Sequence, residues 1–457
     1  MIRHDNFSKF KDLRKEFRFL SYDLYTYHFT GNSLEISYSF NLSSKYSFNP
    51  RISIPYRNNI FQPVDSLSPE VLDNLVFHMG MIELISYWKA ACPAEVIVKP
   101  HILAASQVDF WKKIYFHGLG EFFFTNSIPA GEDDFMKITC HEDSQADTFR
   151  VNSTGGCLVP VGGGKDSAVT MGLLNKNAEN WMPFVINPGN TTRNVINAAG
   201  KSDNQTIVIH REIHPRLLEL NRKGFLNGHT PFSALLAFYS LMAAYLTGRT
   251  DIVLSNESSA NEVTVPGTLI NHQYSKSIGF EKDFREYTHT FLSKDFNYFS
   301  ILRPLAEIQI ARIFSEMPEF LPYFRSCNIG SKKGTWCGAC PKCLFTFIIL
   351  SPFLKPGILT GIFGKNLLED AGLEDIFDQL TGKQEVKPFE CIGTVDEVNL
   401  AMDMAVKMYG DNDMPYLVRL HRQRRGPRDE SRGYSPALAG GHFLPVKYIT
   451  LLENALR

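Results

Sequence analysis

The chain has 457 residues, enough for two or three domains, and 44% of them are hydrophobic, which supports large cores. The formal net charge of −1 gives no global attraction to nucleic acid, and no apolar run approaches the roughly 20 residues of a membrane span. The polar, basic start of the chain does not resemble a secretory signal. We therefore expect a cytoplasmic protein without a membrane or nucleic-acid partner.

Residues 1–150 predict an α+β domain. Alternating apolar and polar residues over 34–40 indicate a strand. Apolar residues at helical spacing over 69–92 predict a helix, with Ser68 as the N-cap and Pro69 in the first helical position. This domain carries no recognisable chemical motif, and substrate binding is the role we assign to it.

Residues 151–350 predict an α/β domain with a doubly wound parallel sheet, because helical patterns separate its strands. The predicted strands cover 157–160, 183–186, 205–209 and 251–254. Ligands of such sheets bind at the carboxyl ends of the strands. Asn187, just after the second strand, is therefore expected to reach the adenine or ribose of a nucleotide. Residues 351–457 form a C-terminal α+β extension.

The most informative segment is Pro-Val-Gly-Gly-Gly-Lys-Asp-Ser at 160–167, between a predicted strand and an apolar helix. Backbone N–H groups of a glycine run approach an anion closely, and a helix N-terminus adds partial positive charge. Lys165 adds a cation, Ser167 a hydroxyl group, and Asp166 could hold a metal ion or fix the loop. We predict a phosphate site formed by Gly162, Gly163, Gly164, Lys165, Asp166 and Ser167.

Two common phosphate loops do not fit this segment. A Walker loop has Lys directly before Ser or Thr, whereas Asp166 separates Lys165 from Ser167, and the spacing of a dinucleotide fingerprint fails at the last position. The segment resembles the Ser-Gly-Gly-x-Asp-Ser loop of the PP-loop ATP pyrophosphatases, with Gly162 in place of the first serine. The resemblance implies a PP-loop ATP pyrophosphatase fold that cleaves ATP to AMP and pyrophosphate.

Four of the eight cysteines cluster at 327–343, as Cys327, Cys337, Cys340 and Cys343. Such clustering suits metal binding in a reducing compartment better than disulfides. Four thiolates fill a tetrahedral zinc shell, and a closed shell is typical of a structural site. An iron–sulfur cluster also takes four cysteines and is the alternative.

A polar block at 255–281 is rich in side chains that perform chemistry. Glu257 and Glu262 are candidates for Mg²⁺ or for polar substrate groups. His272 and Lys276 could meet a phosphate or a carboxylate, or act as acid or base. A solvated loop is the alternative interpretation.

The combination of four segments resembles the MurL family of UDP-N-acetyl-α-D-muramoyl-L-alanyl-L-glutamate epimerases. These segments are the glycine loop, Ser-Asn-Glu at 255–257, Asn-His-Gln-Tyr-Ser-Lys-Ser at 271–277 and Cys-Gly-Ala-Cys-Pro-Lys-Cys at 337–343. The resemblance implies that ATP and Mg²⁺ adenylate the terminal L-Glu of UDP-MurNAc-L-Ala-L-Glu. A base then removes the α-proton, a proton returns on the opposite face, and hydrolysis frees D-Glu. Lys165 and Mg²⁺ would offset charge in the transition state.

The base is not visible as a motif. Cys391 is a candidate because thiolates serve in glutamate racemisation, with His272, Lys276 and Glu257 as competitors, and a buried structural cysteine is the alternative. Two other functions stay open. One is a pyrophosphatase that adenylates another acceptor, as in tRNA thiolation or deazaguanine nitrile or amide synthesis. The other is a nucleotide sensor without turnover. The sequence does not predict an oligomeric state.

Overall fold

The computed structural model describes residues 4–57, 60–140, 147–330, 333–410, 413–425 and 437–457. Within these residues eleven strands form one sheet. The strands are β1 Phe19–Phe29, β2 Ser33–Leu42, β3 Tyr46–Phe48, β4 Arg51–Pro55, β5 Glu95–Val98, β6 Lys137–Cys140, β7 Cys157–Pro160, β8 Trp181–Ile186, β9 Ile207–Glu212, β10 Asp251–Leu254 and β11 Asn297–Ser300.

The sheet runs without interruption through the N-terminal and central parts of the chain. Its order is β11-β10-β7-β8-β9-β4-β2-β1-β5-β6, and β3 lies beside β2 off this path. The five strands β11 to β9 are parallel to one another. The antiparallel pair of β4 and β9 then joins them to the antiparallel strands of the N-terminal part. The fold is therefore mixed α/β with a large, mostly parallel sheet, and the boundaries at 150 and 350 stay predictions. The prediction of α+β structure for 351–457 was wrong in the residues described, which form helices and no strand.

Sixteen α-helices lie in the described residues. They are α1 Phe7–Glu16, α2 Pro69–Trp88, α3 Ala105–Gly118, α4 Gly120–Thr125, α5 Lys165–Lys176, α6 Asn190–Ala198, α7 Pro215–Arg222, α8 Phe232–Thr247, α9 Ile278–Phe291, α10 Glu307–Ser315, α11 Pro341–Leu350, α12 Pro356–Phe363, α13 Glu374–Leu380, α14 Val395–Tyr409, α15 Tyr416–Arg425 and α16 Val446–Leu456. None of these helices is both long and apolar enough to cross a bilayer.

Two cores cover the two faces of the parallel strands. Successive residues of β7 alternate between them, because strand side chains point to opposite faces: Leu158 lies in the core with α2 and α8, and Val159 in the core with α5, α10 and α11. Strands buried on both faces read as continuous apolar runs, which explains why the short strands β7 and β10 were predicted with their observed bounds.

Helix α2 begins as predicted and ends earlier than predicted. The Ser68 hydroxyl accepts a hydrogen bond from the backbone N–H of Val71, and Pro69 occupies the first turn. The helix stops at Trp88, because Cys92 has a left-handed φ of 48° and precedes Pro93, which disfavours helical geometry before it.

The strand order indicates which end of the parallel strands can bind a ligand. β7 lies between β8 and β10, so the chain leaves β7 toward one neighbour and reaches the other only later. Ligands of open α/β sheets bind outside the carboxyl ends of strands where the order reverses in this way. The glycine loop follows β7 and Glu257 follows β10, so both lie at that point.

Candidate active site

The glycine loop is held in an open turn ahead of α5. Gly163 has a φ of +87°, and a Cβ there would lie 3.2 Å from the Cα of Thr192. The Gly163 N–H donates to the Ser167 hydroxyl at 3.2 Å, and that hydroxyl donates to the Gly164 carbonyl at 3.0 Å. Gly164 is the N-cap of α5 and supplies no side-chain acceptor. The first N–H groups of α5 therefore lack an intrahelical partner and suit an anion.

A buried lysine links this loop to α10. Lys165 Nζ donates to Glu307 Oε2 at 2.6 Å and also to the Asp166 carboxylate. Burial lowers the pKa of Lys165, but these two carboxylates outweigh it and raise the pKa, so the ammonium stays charged. Each carboxylate of Asp166, Glu257 and Glu307 offers an oxygen within 4.8 Å of the others. Clustered carboxylate oxygens are ligands that Mg²⁺ prefers.

The structure places two of the predicted metal candidates, Asp166 and Glu257, in one cluster and adds Glu307. Glu307 stands first in α10, and its N–H donates to Glu397 Oε1 at 2.6 Å. Glu262, the other predicted Mg²⁺ candidate, forms a salt bridge with Lys387 and is not part of this cluster.

A buried arginine fixes the two polar loops of the site. Arg303 donates to the carbonyl oxygen of Glu257 at 2.7 Å and to that of Lys276 at 2.5 Å. It also pairs with Glu281 Oε2 at 3.0 Å, and both side chains are almost fully buried. Removal of one partner from such a buried charge pair leaves the other charge unpaired and strongly destabilises the fold. Arg303 thus positions the backbone that carries two predicted site residues.

His272 and Lys276 both lie close enough to Cys391 to act on the pKa of its thiol. Burial raises the pKa of the Cys391 thiol, but the Lys276 ammonium and the His272 ring outweigh it and lower the pKa to about 6. The side chain is partly accessible to solvent. The arrangement therefore places a thiolate in reach of a ligand at neutral pH.

His272 is oriented from its other side by a carboxylate that the sequence did not indicate. Its Nδ1 lies 2.5 Å from Glu121 Oε2, on α4. Burial lowers the pKa of His272, whereas its bonds to Cys391 and Glu121 raise the pKa to about 9. The ring is therefore protonated at neutral pH. Glu121, the His272 imidazolium and the Cys391 thiolate thus form a series of interacting groups, as in activated cysteine sites.

A second histidine shares the same carboxylate. His229 Nδ1 lies 3.3 Å from Glu121 Oε2, and its ring centroid is 4.6 Å from that of His272. Burial and the neighbouring His272 lower the pKa of His229 to about 4, so this ring is neutral. Glu121, His229 and His272 have the spacing of a metal site as well. In the present arrangement Glu121 Oε2 contacts the Nδ1 atoms of both rings.

Lys276 connects the two groups of side chains. Burial lowers its pKa, but Cys391 and the nearby carboxylates together outweigh burial and raise the pKa. The carboxylates of Glu257 and Asp166 act in the same direction. The six predicted catalytic side chains thus fall into two groups. The phosphate-side cluster contains Lys165, Asp166 and Glu257, and the proton-transfer cluster contains Cys391 and His272, with Lys276 between the two.

Asn187 lies at the carboxyl end of β8, as expected for a ligand-facing residue. Its side-chain amide donates to the Arg211 carbonyl at 2.8 Å and accepts from the Arg211 N–H at 2.9 Å. These bonds fix the end of β9 against β8. A contact of Asn187 with the nucleotide stays a prediction.

The four clustered cysteines converge. The Sγ atom of Cys343 lies 3.5 Å from those of Cys337 and Cys340, and Cys340 Sγ lies 3.7 Å from that of Cys327. Gly338 has a φ of +65°, which opens the turn between the sulfurs. The four cysteines together could hold a metal ion.

The cysteine knuckle also supports the segment that carries Cys391. Lys342, inside the knuckle, lies 3.6 Å from Glu390, and the Asn328 amide donates to Glu390 at 3.1 Å. Lys342 adds to the positive charge that lowers the pKa of Cys391. The cysteine knuckle is therefore in direct contact with the segment that carries Cys391.

Comparison with known proteins identifies the family. The family model of the MurL N-terminal domain matches residues 11–301, and that of the MurL C-terminal domain matches residues 323–433. A curated protein of Xanthomonas oryzae pv. oryzae named UDP-N-acetyl-alpha-D-muramoyl-L-alanyl-L-glutamate epimerase is 35% identical over 80% of this chain and 83% of its own. Proteins of the same name from Salinispora tropica and a Micromonospora species are 32% and 31% identical, over 75% and 78% of this chain and 75% and 80% of their own. The chain belongs to the MurL family.

Proposed function

We propose that this protein converts the terminal L-Glu of UDP-MurNAc-L-Ala-L-Glu to D-Glu in peptidoglycan precursor synthesis, with cleavage of ATP to AMP and pyrophosphate. Its relatives carry the name of this epimerase. The observation that carries the proposal is the convergence of Cys391, His272 and Lys276 beside the carboxylates that follow the glycine loop. The glycine loop and its carboxylates suit ATP, and Cys391, His272 and Lys276 suit proton transfer at carbon.

The first half-reaction needs a phosphate site and a cation. The glycine loop, the start of α5 and Lys165 would hold the phosphates, and the substrate glutamate carboxylate would attack the α-phosphorus with loss of pyrophosphate. Asp166, Glu257 and Glu307 would hold Mg²⁺, whose charge would offset that of the phosphates. Adenylation removes the negative charge of the carboxylate, which makes the α-proton far more acidic.

The second half-reaction needs a base and an acid. The Cys391 thiolate accepts the α-proton, and the nearby Lys276 ammonium offsets the charge of the enolate. The His272 imidazolium, with its pKa raised to about 9, is a proton donor at neutral pH. The site therefore holds a base and an acid, and inversion requires that they act on opposite faces of the α-carbon. Hydrolysis of the adenylate ends the cycle.

Zinc is the metal that we propose for the four cysteines. A tetrahedral zinc ion with Zn–S bonds of about 2.3 Å separates its sulfurs by about 3.8 Å. Neighbouring sulfurs of the knuckle lie 3.5 or 3.7 Å apart. An iron–sulfur cluster places several metal ions among the cysteines and spreads the four sulfurs farther apart than the 4.8 Å within which they all lie here. Such a reduced thiol site and a nucleotide substrate favour the cytoplasm as the place of reaction.

The test follows both half-reactions in one sample. The protein is incubated with ATP, Mg²⁺ and UDP-MurNAc-L-Ala-L-Glu in D₂O; pyrophosphate is measured, and the hydrolysed glutamate is analysed on a chiral column and by mass spectrometry. We expect substrate-dependent pyrophosphate release and D-Glu that carries deuterium at the α-carbon. Absence of D-Glu from the wild-type reaction would refute the proposal.

Variants separate the two clusters. Cys391→Ala should lose D-Glu and deuterium incorporation while pyrophosphate release persists, and Lys165→Met should lose both. Cys140→Ala is the matched control, because this partly exposed cysteine lies on the edge strand β6. Wild-type epimerisation by Cys391→Ala would remove Cys391 from the mechanism.

A further inference from the structure

An apolar cavity of about 650 Å³ lies beside the proton-transfer cluster. Its volume falls in the range of roughly 300–1,000 Å³ that small-molecule sites occupy. Helices α3 and α4, the segment after α4 and the loop before His272 form its walls. The side chains that give it an apolar, aromatic lining include Phe116, Phe123, Phe124, Ile128, Leu269 and Ile270.

One chain neighbour and two ring contacts join the cavity wall to the segments that carry the catalytic groups. Gly120, in the wall, precedes Glu121, which holds His272. The ring of Phe124 lies 5.6 Å from that of Phe389, two residues before Cys391. A third link runs from a wall histidine, His117, to Tyr274 in the turn Tyr274–Lys276, with ring centroids 5.0 Å apart. The cavity wall is therefore in contact with the segments that carry His272, Lys276 and Cys391.

We propose that this cavity binds the N-acetylmuramoyl ring of the substrate with its lactyl and alanyl arm. The proposal rests on the proposed function and assigns the sugar site that the function needs. The ring stands at most about 10 Å from the α-carbon of the glutamate, so it must lie within that reach of the groups that move the α-proton. Its acetyl, lactyl and alanyl methyl groups and the C–H face of the pyranose suit an aromatic lining.

The charged part of the substrate extends past the rim. Phe7, at the start of α1, belongs to the cavity wall, and Lys11 Nζ lies 4.0 Å from the centre of its ring. Lys11 is exposed. An exposed ammonium at the rim can pair with a phosphate of UDP, whereas the apolar interior would leave a diphosphate without partners.

The test uses binding without turnover. UDP-N-acetylmuramoyl-L-alanine lacks the reacting glutamate and serves as the probe, titrated into the full chain by calorimetry. Leu269→Glu places a charge at the rim on a side chain that is 70% exposed, and Ala130→Trp fills the cavity from a partly exposed position. We expect each variant to bind the probe at least 10-fold more weakly and to raise the KM for UDP-MurNAc-L-Ala-L-Glu, with the KM for ATP unchanged. Ile358→Glu, an exposed apolar residue on α12, is the matched control and should bind as the wild type.

The outcomes distinguish the two proposals. If the wild type turns over the full substrate and both cavity variants bind the probe normally, the cavity is not the sugar site, while the epimerase function stands. A wild type that turns over the substrate but does not bind the probe also overturns the sugar site. A wild type that neither binds the probe nor turns over the substrate overturns the proposed function and the sugar site with it.

Discussion

Lys276→Met tests whether the ammonium keeps Cys391 ionised. Burial alone would raise the pKa of this thiol, and Lys276 is the strongest of the groups that lower it to about 6. Methionine keeps most of the length of the side chain and removes its charge. We therefore expect the pKa of Cys391 to rise from about 6 toward the ordinary value of about 8.5, with His272 and Lys342 still opposing burial.

The size of the effect follows from the two pKa values. At pH 7 a thiol with a pKa of about 6 is roughly 90% thiolate, and one with a pKa of about 8.5 is roughly 3% thiolate. The rate at which Cys391 itself reacts as a thiolate should therefore fall by up to about 30-fold at pH 7. Because the variant thiol still ionises at higher pH, the loss should shrink as the pH rises through 8.5.

Alkylation of Cys391 by iodoacetamide measures the thiolate without any turnover. The rate is followed by mass spectrometry of the Cys391 peptide from pH 5 to pH 10, and its midpoint gives the pKa. Lys282→Met, at an exposed lysine on α9, is the control and should leave the midpoint near 6. A midpoint near 6 in Lys276→Met as well would refute the electrostatic reasoning.

Three further perturbations test the supporting structure. Glu121→Gln should lower the pKa of His272 from about 9, so the alkaline limb of the epimerisation pH profile moves to lower pH while pyrophosphate release stays unchanged. Arg303→Met leaves a buried carboxylate unpaired and should cost about 3–5 kcal/mol in the free energy of unfolding, measured by urea denaturation, whereas a loss under 1 kcal/mol would contradict this. Metal analysis should find one zinc per chain in the wild type and none in Cys337→Ser, and the variant should also lose the low pKa of Cys391.

Local sequence predicted the parts of the site that are contiguous in the chain. The glycine loop needs only a strand, a turn and a helix in succession, and its position after β7 is as predicted. The cysteine knuckle is equally local, since three of its sulfurs come from one seven-residue segment, 337–343. In both cases the chemistry is encoded by spacing along the chain, which a single sequence displays.

Residues that join the site through tertiary contacts were not predictable in the same way. Glu121 lies on α4, far along the chain from its partner His272, in a domain without a motif. Glu307 was visible only as an acidic residue at a helix start, where a capping role is the ordinary interpretation. The pairing of β4 with β9 also joins distant segments, so no periodicity reveals that the sheet is continuous.

The electrostatics of the site impose an order on the proposed reaction. A thiolate whose conjugate acid has a pKa of about 6 is a weak base and cannot remove the α-proton of a free carboxylate. It becomes competent only after adenylation has removed the negative charge of the substrate and the Lys276 ammonium faces the developing enolate. The same low pKa keeps the thiolate available at neutral pH without a proton-removal step. In the proposed reaction the consumption of ATP would acidify the α-proton enough for this weak base, and Lys276, which interacts with Cys391, Glu257 and Asp166, would link the two steps.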